Sequence, residues 1–124
     1  MTNQAKSEIA SVSAQQAREK FQAGVARGID VRMPFDYAGG RIAGSLSLPN
    51  TSIQVRGREV PQDKELIFYS DDGVLSRKIC ALALSLGYKH VHNLEGGMEA
   101  WIDAGLPVET ISEGLTSPSP SGNE

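Results

Sequence analysis

Strand-like and helix-like segments alternate along almost the whole chain, and this order limits the possible folds more than any other feature. Residues 65–69, Glu-Leu-Ile-Phe-Tyr, form the clearest strand, since an apolar and aromatic run is typical of a buried parallel strand. Residues 76–86 are apolar almost all round, which predicts a well-covered helix that ends at Gly87. This alternation predicts an α/β fold with a parallel sheet and helices on both faces.

The other segments are shorter and carry local signals. Ser13 and Gln16 have the spacing of a capping box, which predicts a helix beginning after Ser13. Further strands are predicted at residues 28–32, 42–48 and 91–94, a helical turn at 35–38, a short helix and loop at 51–60, and a helix after Gly97. Ligands of parallel sheets bind at the carboxyl ends of the strands, so the turn after Tyr69 is where chemistry is expected.

The length and the ends of the chain predict one domain. A chain of 124 residues is long enough for one hydrophobic core and too short for two domains. We predict a flexible segment at residues 1–10, the domain at 11–109 and a disordered tail at 110–124. The tail is rich in Ser, Pro, Gly and Glu, and it has too few apolar residues to order itself.

Charge and cysteine content set expectations about partners and location. The net charge is −3, from 12 Lys and Arg against 15 Asp and Glu, which argues against nucleic acid and anionic membranes as partners. The one cysteine, Cys80, cannot form a disulfide within the chain. No stretch has the pattern of a signal peptide or a membrane span, so we expect a cytoplasmic protein.

Three blocks of sequence, in order, resemble the rhodanese family. The first runs from Asp30 to Pro49 and reads DVRMPFDYAGGRIAGSLSLP, where the family pattern is roughly D-V-R-x-x-x-E-[YF]-x-x-G-H-I-x-G-A-x-x-x-P. The second is the strand, loop and helix of residues 66–86. The third begins with LEGGM at residues 94–98 and continues through Trp101 to GLPV at 105–108. Together the blocks cover most of residues 10–109.

The resemblance implies a fold and several structural roles. It implies a five-stranded parallel sheet flanked by helices. In the first block it suggests an ion pair between Arg32 and Asp36 that steadies the turn, and a structural or ligand-facing role for Asp30. In the third block, Gly96 and Gly97 form the turn before the last helix, and Trp101 packs that helix onto the core. Arg41 stands where the family usually has histidine.

The loop after Tyr69 departs from the family at the two positions that matter for catalysis. Active rhodanese-like proteins have a loop of the form C-x-x-G-x-R-S, in which inward backbone amides and a helix N-terminus stabilise a cysteine thiolate. The aligned residues here are Ser70, Asp71, Asp72, Gly73, Val74, Leu75 and Ser76. Serine replaces the cysteine and leucine replaces the arginine, and serine becomes a nucleophile only beside a base.

Asp71 and Asp72 place two carboxylates beside a cradle suited to anions. Like charges about 4 Å apart repel by roughly 1 kcal/mol in water, and by more when partly buried. An anionic donor would therefore be repelled. The favoured interpretation is that the two carboxylates serve the helix N-terminus, where each stabilises by about 0.3–1 kcal/mol. Together with Ser70 they could also bind a cation, although we expect no metal site and no cofactor.

Other candidate residues have simpler interpretations. Cys80 lies in an apolar helix, so we expect it to be inert core rather than a displaced nucleophile. His90 and His92 could bind a metal, but a solvated strand edge is the favoured interpretation. Arg77 and Lys78 could attract an anion, yet Arg77 is one position too late for the C-x5-R spacing of phosphatases, counted from Ser70.

These observations leave two main functions. The first is a non-catalytic rhodanese-like module that binds an unknown protein partner or small ligand through the loop from Ser70 to Leu75. The second is a sulfurtransferase that acts on thiosulfate or persulfide with unusual machinery, for example Cys80, or an engineered cysteine-to-serine variant of such an enzyme. The sequence favours the first.

Overall fold

The computed structural model describes residues 9–50, 52–53 and 60–110. Its strands are β1 (Ala10–Val12), β2 (Ala26–Asp30), β3 (Arg41–Ile42), β4 (Leu46–Ser47), β5 (Glu65–Tyr69), β6 (Val91–Leu94) and β7 (Val108–Glu109). Its helices are α1 (Ala14–Gln22), α2 (Pro34–Gly39), α3 (Val74–Ser85) and α4 (Gly97–Asp103). None of the described helices is long and apolar enough to cross a membrane.

Five strands form one parallel sheet in the order β1-β6-β5-β2-β4, which confirms the predicted fold class. The central strand β5 is buried from Leu66 to Tyr69, as its apolar sequence requires. In the register of β2 and β5, Asp30 lies opposite Tyr69. The carboxyl ends of these two neighbouring strands therefore meet at the same edge of the sheet.

Helices cover both faces of the sheet and create two hydrophobic layers. On one face α3 packs Cys80 and Ala83 against Ile29 and Phe68. On the other face α1 and α4 cover Ile67, Tyr69 and Leu94. Trp101 of α4 is buried in this second layer. Its indole packs edge-to-face with the ring of Phe21, and its Nε1 donates to the carbonyl of Pro107 at 2.8 Å.

The capping box predicted for the first helix is present. The Ser13 hydroxyl accepts a hydrogen bond from the Gln16 amide at 3.1 Å, and the Gln16 side chain accepts one from the Ser13 amide at 2.9 Å. These two bonds satisfy amides that have no partner within the helix. The start of α1 can therefore be derived from the sequence alone.

Three predicted elements differ from the structure. The single strand expected at residues 42–48 is two short strands, β3 and β4, because Gly44 turns the chain with φ +81° and β3 leaves to pair antiparallel with β7. The strand expected at residues 28–32 lies at Ala26–Asp30. Helix α3 begins at Val74, two residues before the predicted start, because Gly73 takes the left-handed conformation there.

Some predictions fall on residues that the structure does not describe. The helix and loop expected at residues 51–60 are described only at 52–53 and 60. The expected tail lies outside the described residues from 111 onward, and the expected flexible segment lies outside them at residues 1–8. Ala10, the last residue of that segment, belongs to β1, which lies at the edge of the sheet beside β6.

Candidate functional site

The loop of residues 70–76 follows β5 directly and leads into α3. It lies at the carboxyl edge of the sheet, next to the ends of β2 and β6. Seven consecutive predicted site residues, from Ser70 to Ser76, therefore occupy the position where parallel sheets hold their ligands.

Ser70 is the centre of the loop, and its side chain is almost completely enclosed. Only 3% of the residue is exposed. Its Oγ accepts hydrogen bonds from the amides of Gly73 at 3.2 Å and Ser76 at 3.1 Å, and its hydroxyl donates to Ser76 Oγ at 3.1 Å. The N-cap residue of α3 is Gly73, which has no side chain, so Ser70 supplies the cap of this helix instead.

Further hydrogen bonds, made by the side chains of Ser76 and Asn93, hold this arrangement in place. Ser76 Oγ donates to Asn93 Oδ1 at 2.6 Å, and Asn93 Nδ2 donates to the carbonyl of Gly73 at 3.1 Å. All of these groups are buried. Sequence analysis missed Asn93, although an amide side chain near the carboxyl end of a buried strand is a signal that could have identified it.

Helix α4 forms hydrogen bonds with the outer side of the same loop. The amides of Met98 and Glu99 donate to the carbonyls of Ser70 at 2.8 Å and Asp71 at 2.9 Å. Gly97, with φ +59°, permits this contact, because a Cβ at that position would lie 2.7 Å from the carbonyl carbon of Asp71. The loop carbonyls therefore point outward to α4, which leaves the amides of Gly73 and Ser76 to point inward.

Arg32 lies beside the loop with its charge already compensated. Its Nη2 is 2.7 Å from Asp30 Oδ2 and donates to the carbonyl of Gly40 at 2.7 Å, while its Nη1 is 3.5 Å from Asp71 Oδ1. Burial lowers the pKa of Arg32, but the hydrogen bond and charge of Asp30 raise it by more, so its net pKa is above the ordinary value. The expected pair with Asp36 is replaced by the pair with Asp30.

The two loop carboxylates have separate roles. Asp72 Oδ1 accepts a hydrogen bond from the amide of Val74 at 2.9 Å, which satisfies one free amide of the first turn of α3. Asp71 instead faces Arg32. Between α2 and the loop lies a cleft of about 270 Å³, bordered by Arg32, Met33, Asp36, Asp71, Asp72 and Leu75.

The structure places both histidines away from the loop. His92 Nε2 is 3.2 Å from Glu65 Oε1, and Glu65 begins β5 whereas Ser70 follows its end. Five residues of strand separate the two positions by about 16 Å. His92 also lies on an inner strand between β1 and β5, so the expectation of a strand edge was wrong for it, whereas His90 is exposed before β6.

The single thiol is equally unsuited to chemistry at the loop. Cys80 is fully buried in the layer under α3, and burial raises the pKa of its thiol to about 12. Thiolate is the reactive form, so this cysteine is inert while the domain is folded. Among the described residues, no group of three or more His, Cys, Asp and Glu side chains is placed to hold a metal ion.

Comparisons of the sequence with a family model and with known proteins point to one family. The family described as "Rhodanese-like domain" matches residues 13–104. A sulfurtransferase of Allochromatium vinosum is 39% identical over 80 residues, which is 64% of this chain and 75% of that protein. The thiosulfate sulfurtransferase GlpE of Ectopseudomonas mendocina is 36% identical over 104 residues, which is 84% of this chain and 94% of that protein.

A solved structure shares the fold. A protein of unknown function from Rhodopseudomonas palustris, described as a possible tyrosine phosphatase, has a TM-score of 0.75 at 28% identity. The match covers 86% of this chain and 89% of that protein. The family match, the curated relatives and the parallel sheet agree, and the chain therefore belongs to the rhodanese-like domain family.

Proposed function

We propose that this chain is a non-catalytic rhodanese-like domain that binds a protein partner or small ligand at the mouth of the loop from Ser70 to Leu75. The observation that supports this proposal most directly is the position of the Ser70 hydroxyl. It fills the cradle of inward amides that, in the catalytic loop of the family, surrounds the cysteine sulfur. Ser70 thus occupies the nucleophile position as a structural residue.

The hydrogen bonds of Ser70 hold its hydroxyl in an orientation unsuited to attack on a sulfur donor. Its oxygen already accepts from two amides, and its proton is directed at Ser76 Oγ, which is not a base. A serine nucleophile needs an adjacent base within hydrogen-bond reach. Serine also has no ionised form near neutral pH, and it has no sulfur atom on which a persulfide could form.

The electrostatics of the mouth also oppose binding of an anionic sulfur donor. Leu75 stands where the family loop has arginine, and it offers no charge. Arg32 is held by Asp30 and has only 9% of its side chain exposed. Asp71 and Asp72 are exposed beside it, so thiosulfate would meet carboxylates where catalytic members offer a cation.

Sulfur transfer is the second candidate, because relatives at 39% and 36% identity carry the name sulfurtransferase. In this chain it would have to use Cys80 or a thiol of a partner. The burial of Cys80 and its raised pKa count against the first route.

The decisive experiment measures transfer of the outer sulfur of thiosulfate to cyanide, which yields sulfite and thiocyanate. We expect the native chain to show no thiocyanate above the uncatalysed background. The double variant Ser70→Cys, Leu75→Arg should gain turnover, since it restores the thiolate and the donor cation to an otherwise intact loop. The variant Cys80→Ala is the control for the remaining thiol.

Three outcomes separate the candidates. A native chain that turns over, with activity lost in Cys80→Ala, would overturn the proposal and identify Cys80 as the nucleophile. A native chain that turns over with Cys80→Ala equally active would also overturn it, because the chain would then possess a different mechanism. A silent native chain beside an active double variant supports a scaffold without its nucleophile.

A further inference from the structure

We infer that the loop mouth binds a protein segment carrying a lysine or arginine next to an apolar side chain. This inference deepens the proposed function and rests on it. We call the surface concerned the mouth surface and define it by Met33, Phe35, Asp36, Asp71, Asp72 and Leu75. These residues border two neighbouring clefts that share Arg32 and Asp36.

The first observation is the exposed apolar area on the mouth surface. Phe35, on the first turn of α2, is 87% exposed, and Met33 and Leu75 are also exposed. The second cleft, of about 350 Å³, continues past Phe35 to the exposed side chains of Ile102 and Val108. Apolar side chains grouped around clefts and rimmed by polar groups are typical of protein-binding surfaces.

The second observation is the sign of the charge. Asp36, Asp71 and Asp72 are all exposed on the mouth surface. Among the described residues that line either cleft, Arg32 is the one basic side chain; it bonds Asp30 and Gly40 and also lies 3.5 Å from Asp71. The carboxylates therefore outnumber the cation, so the surface carries net negative charge beside apolar contact area, and its electrostatic complement is a cation.

These two properties select one occupant. A small anion would need a free cation, and Arg32, the basic side chain that lines the clefts, is already paired with Asp30. A second copy of this chain would bring another acidic mouth surface, and its net charge is −3. A segment with an apolar side chain for the cleft and a flanking lysine or arginine for the carboxylates satisfies both properties at once.

The test is selection of a random dodecapeptide display library on the immobilised native chain. In parallel, the library is selected on the variant Asp71→Asn, Asp72→Asn. Asparagine preserves the size of each side chain, and at position 72 it can still accept the amide of Val74, so the first turn of α3 keeps this bond. The matched control is Glu19→Gln, Asp63→Asn, which removes the same charge from α1 and from the residues before β5, away from the loop.

We expect peptides that combine Lys or Arg with an adjacent aliphatic or aromatic residue to be enriched on the native chain and on the control. Their dissociation constants should rise by about three- to fivefold for each mouth carboxylate removed, the size expected for rim ion pairs. Phe35→Ala, a change at an exposed side chain, should weaken the same peptides by at least about fivefold.

Acidic peptides, no enriched peptides, or peptides bound equally well by the mouth variant would each overturn the inference. The sulfur-transfer assay separates this failure from failure of the proposed function. A chain that lacks transferase activity and selects no basic peptide would refute the partner chemistry alone, whereas an active native chain would refute the proposed function itself.

Discussion

Replacing Ser70 with alanine tests whether this residue is a structural cap. The change removes the oxygen that accepts from the Gly73 and Ser76 amides and the proton that Ser76 Oγ accepts. Each buried polar group left without a partner costs about 1–3 kcal/mol, and loss of a helix N-cap typically costs about 1 kcal/mol. The Ser76 amide is counted in both values, so they are not simply added. We expect the free energy of unfolding to fall by about 2–4 kcal/mol.

The assay is urea unfolding followed by circular dichroism, together with thermal unfolding. At about 4 °C per kcal/mol for a domain of this size, the midpoint temperature should fall by roughly 8–16 °C. Ser85→Ala is the matched control, since Ser85 is exposed and makes one bond to the carbonyl of Leu82. It should change stability by no more than about 0.5 kcal/mol. A similarly small effect for Ser70→Ala would refute the structural role of the hydroxyl.

Two further predictions concern ionisable groups outside the loop. Cys80 is fully buried, and burial raises the pKa of its thiol to about 12, so a thiol reagent should modify the folded chain only through its opening or unfolding. Denaturant should make modification fast, and rapid labelling of the native chain would contradict this. Burial lowers the pKa of His92 below its ordinary 6.5, although Glu65 acts in the opposite direction. The unfolded chain therefore takes up the proton first, so the contribution of His92 to the free energy of unfolding should be constant above that value and fall as the pH drops below it. Urea midpoints at about pH 7.5 and about pH 5.5 should show this fall, and His92→Gln should reduce it; an undiminished fall in the variant would assign it to other groups.

The fold could be predicted because its signals are local. The apolar run of β5 and the capping box of α1 depend only on neighbouring residues, and both appear where expected. The pairing of Arg32 could not be derived in this way. An i to i+4 spacing brings Arg32 and Asp36 together only within a helix, but α2 begins at Pro34, so Arg32 lies before it and reaches back to Asp30.

The loop predicted to carry the site does follow the end of β5, but its internal bonds were not predictable. Asn93 contributes from β6 and Gly97 from the start of α4, and both reach the loop only because of the order of strands in the sheet. No periodicity in the sequence reports such long-range contacts. The different roles of Asp71 and Asp72 were unpredictable for the same reason, because the partner of Asp71, Arg32, comes from a distant part of the chain.

The attachment of α4 to the loop has a consequence for local opening of the domain. The carbonyls of Ser70 and Asp71 accept hydrogen bonds from the amides of Met98 and Glu99, at the start of α4. The strand pairs of the sheet do not depend on these two bonds. A local detachment of α4 would therefore release the outer side of the loop while the central strands stay paired.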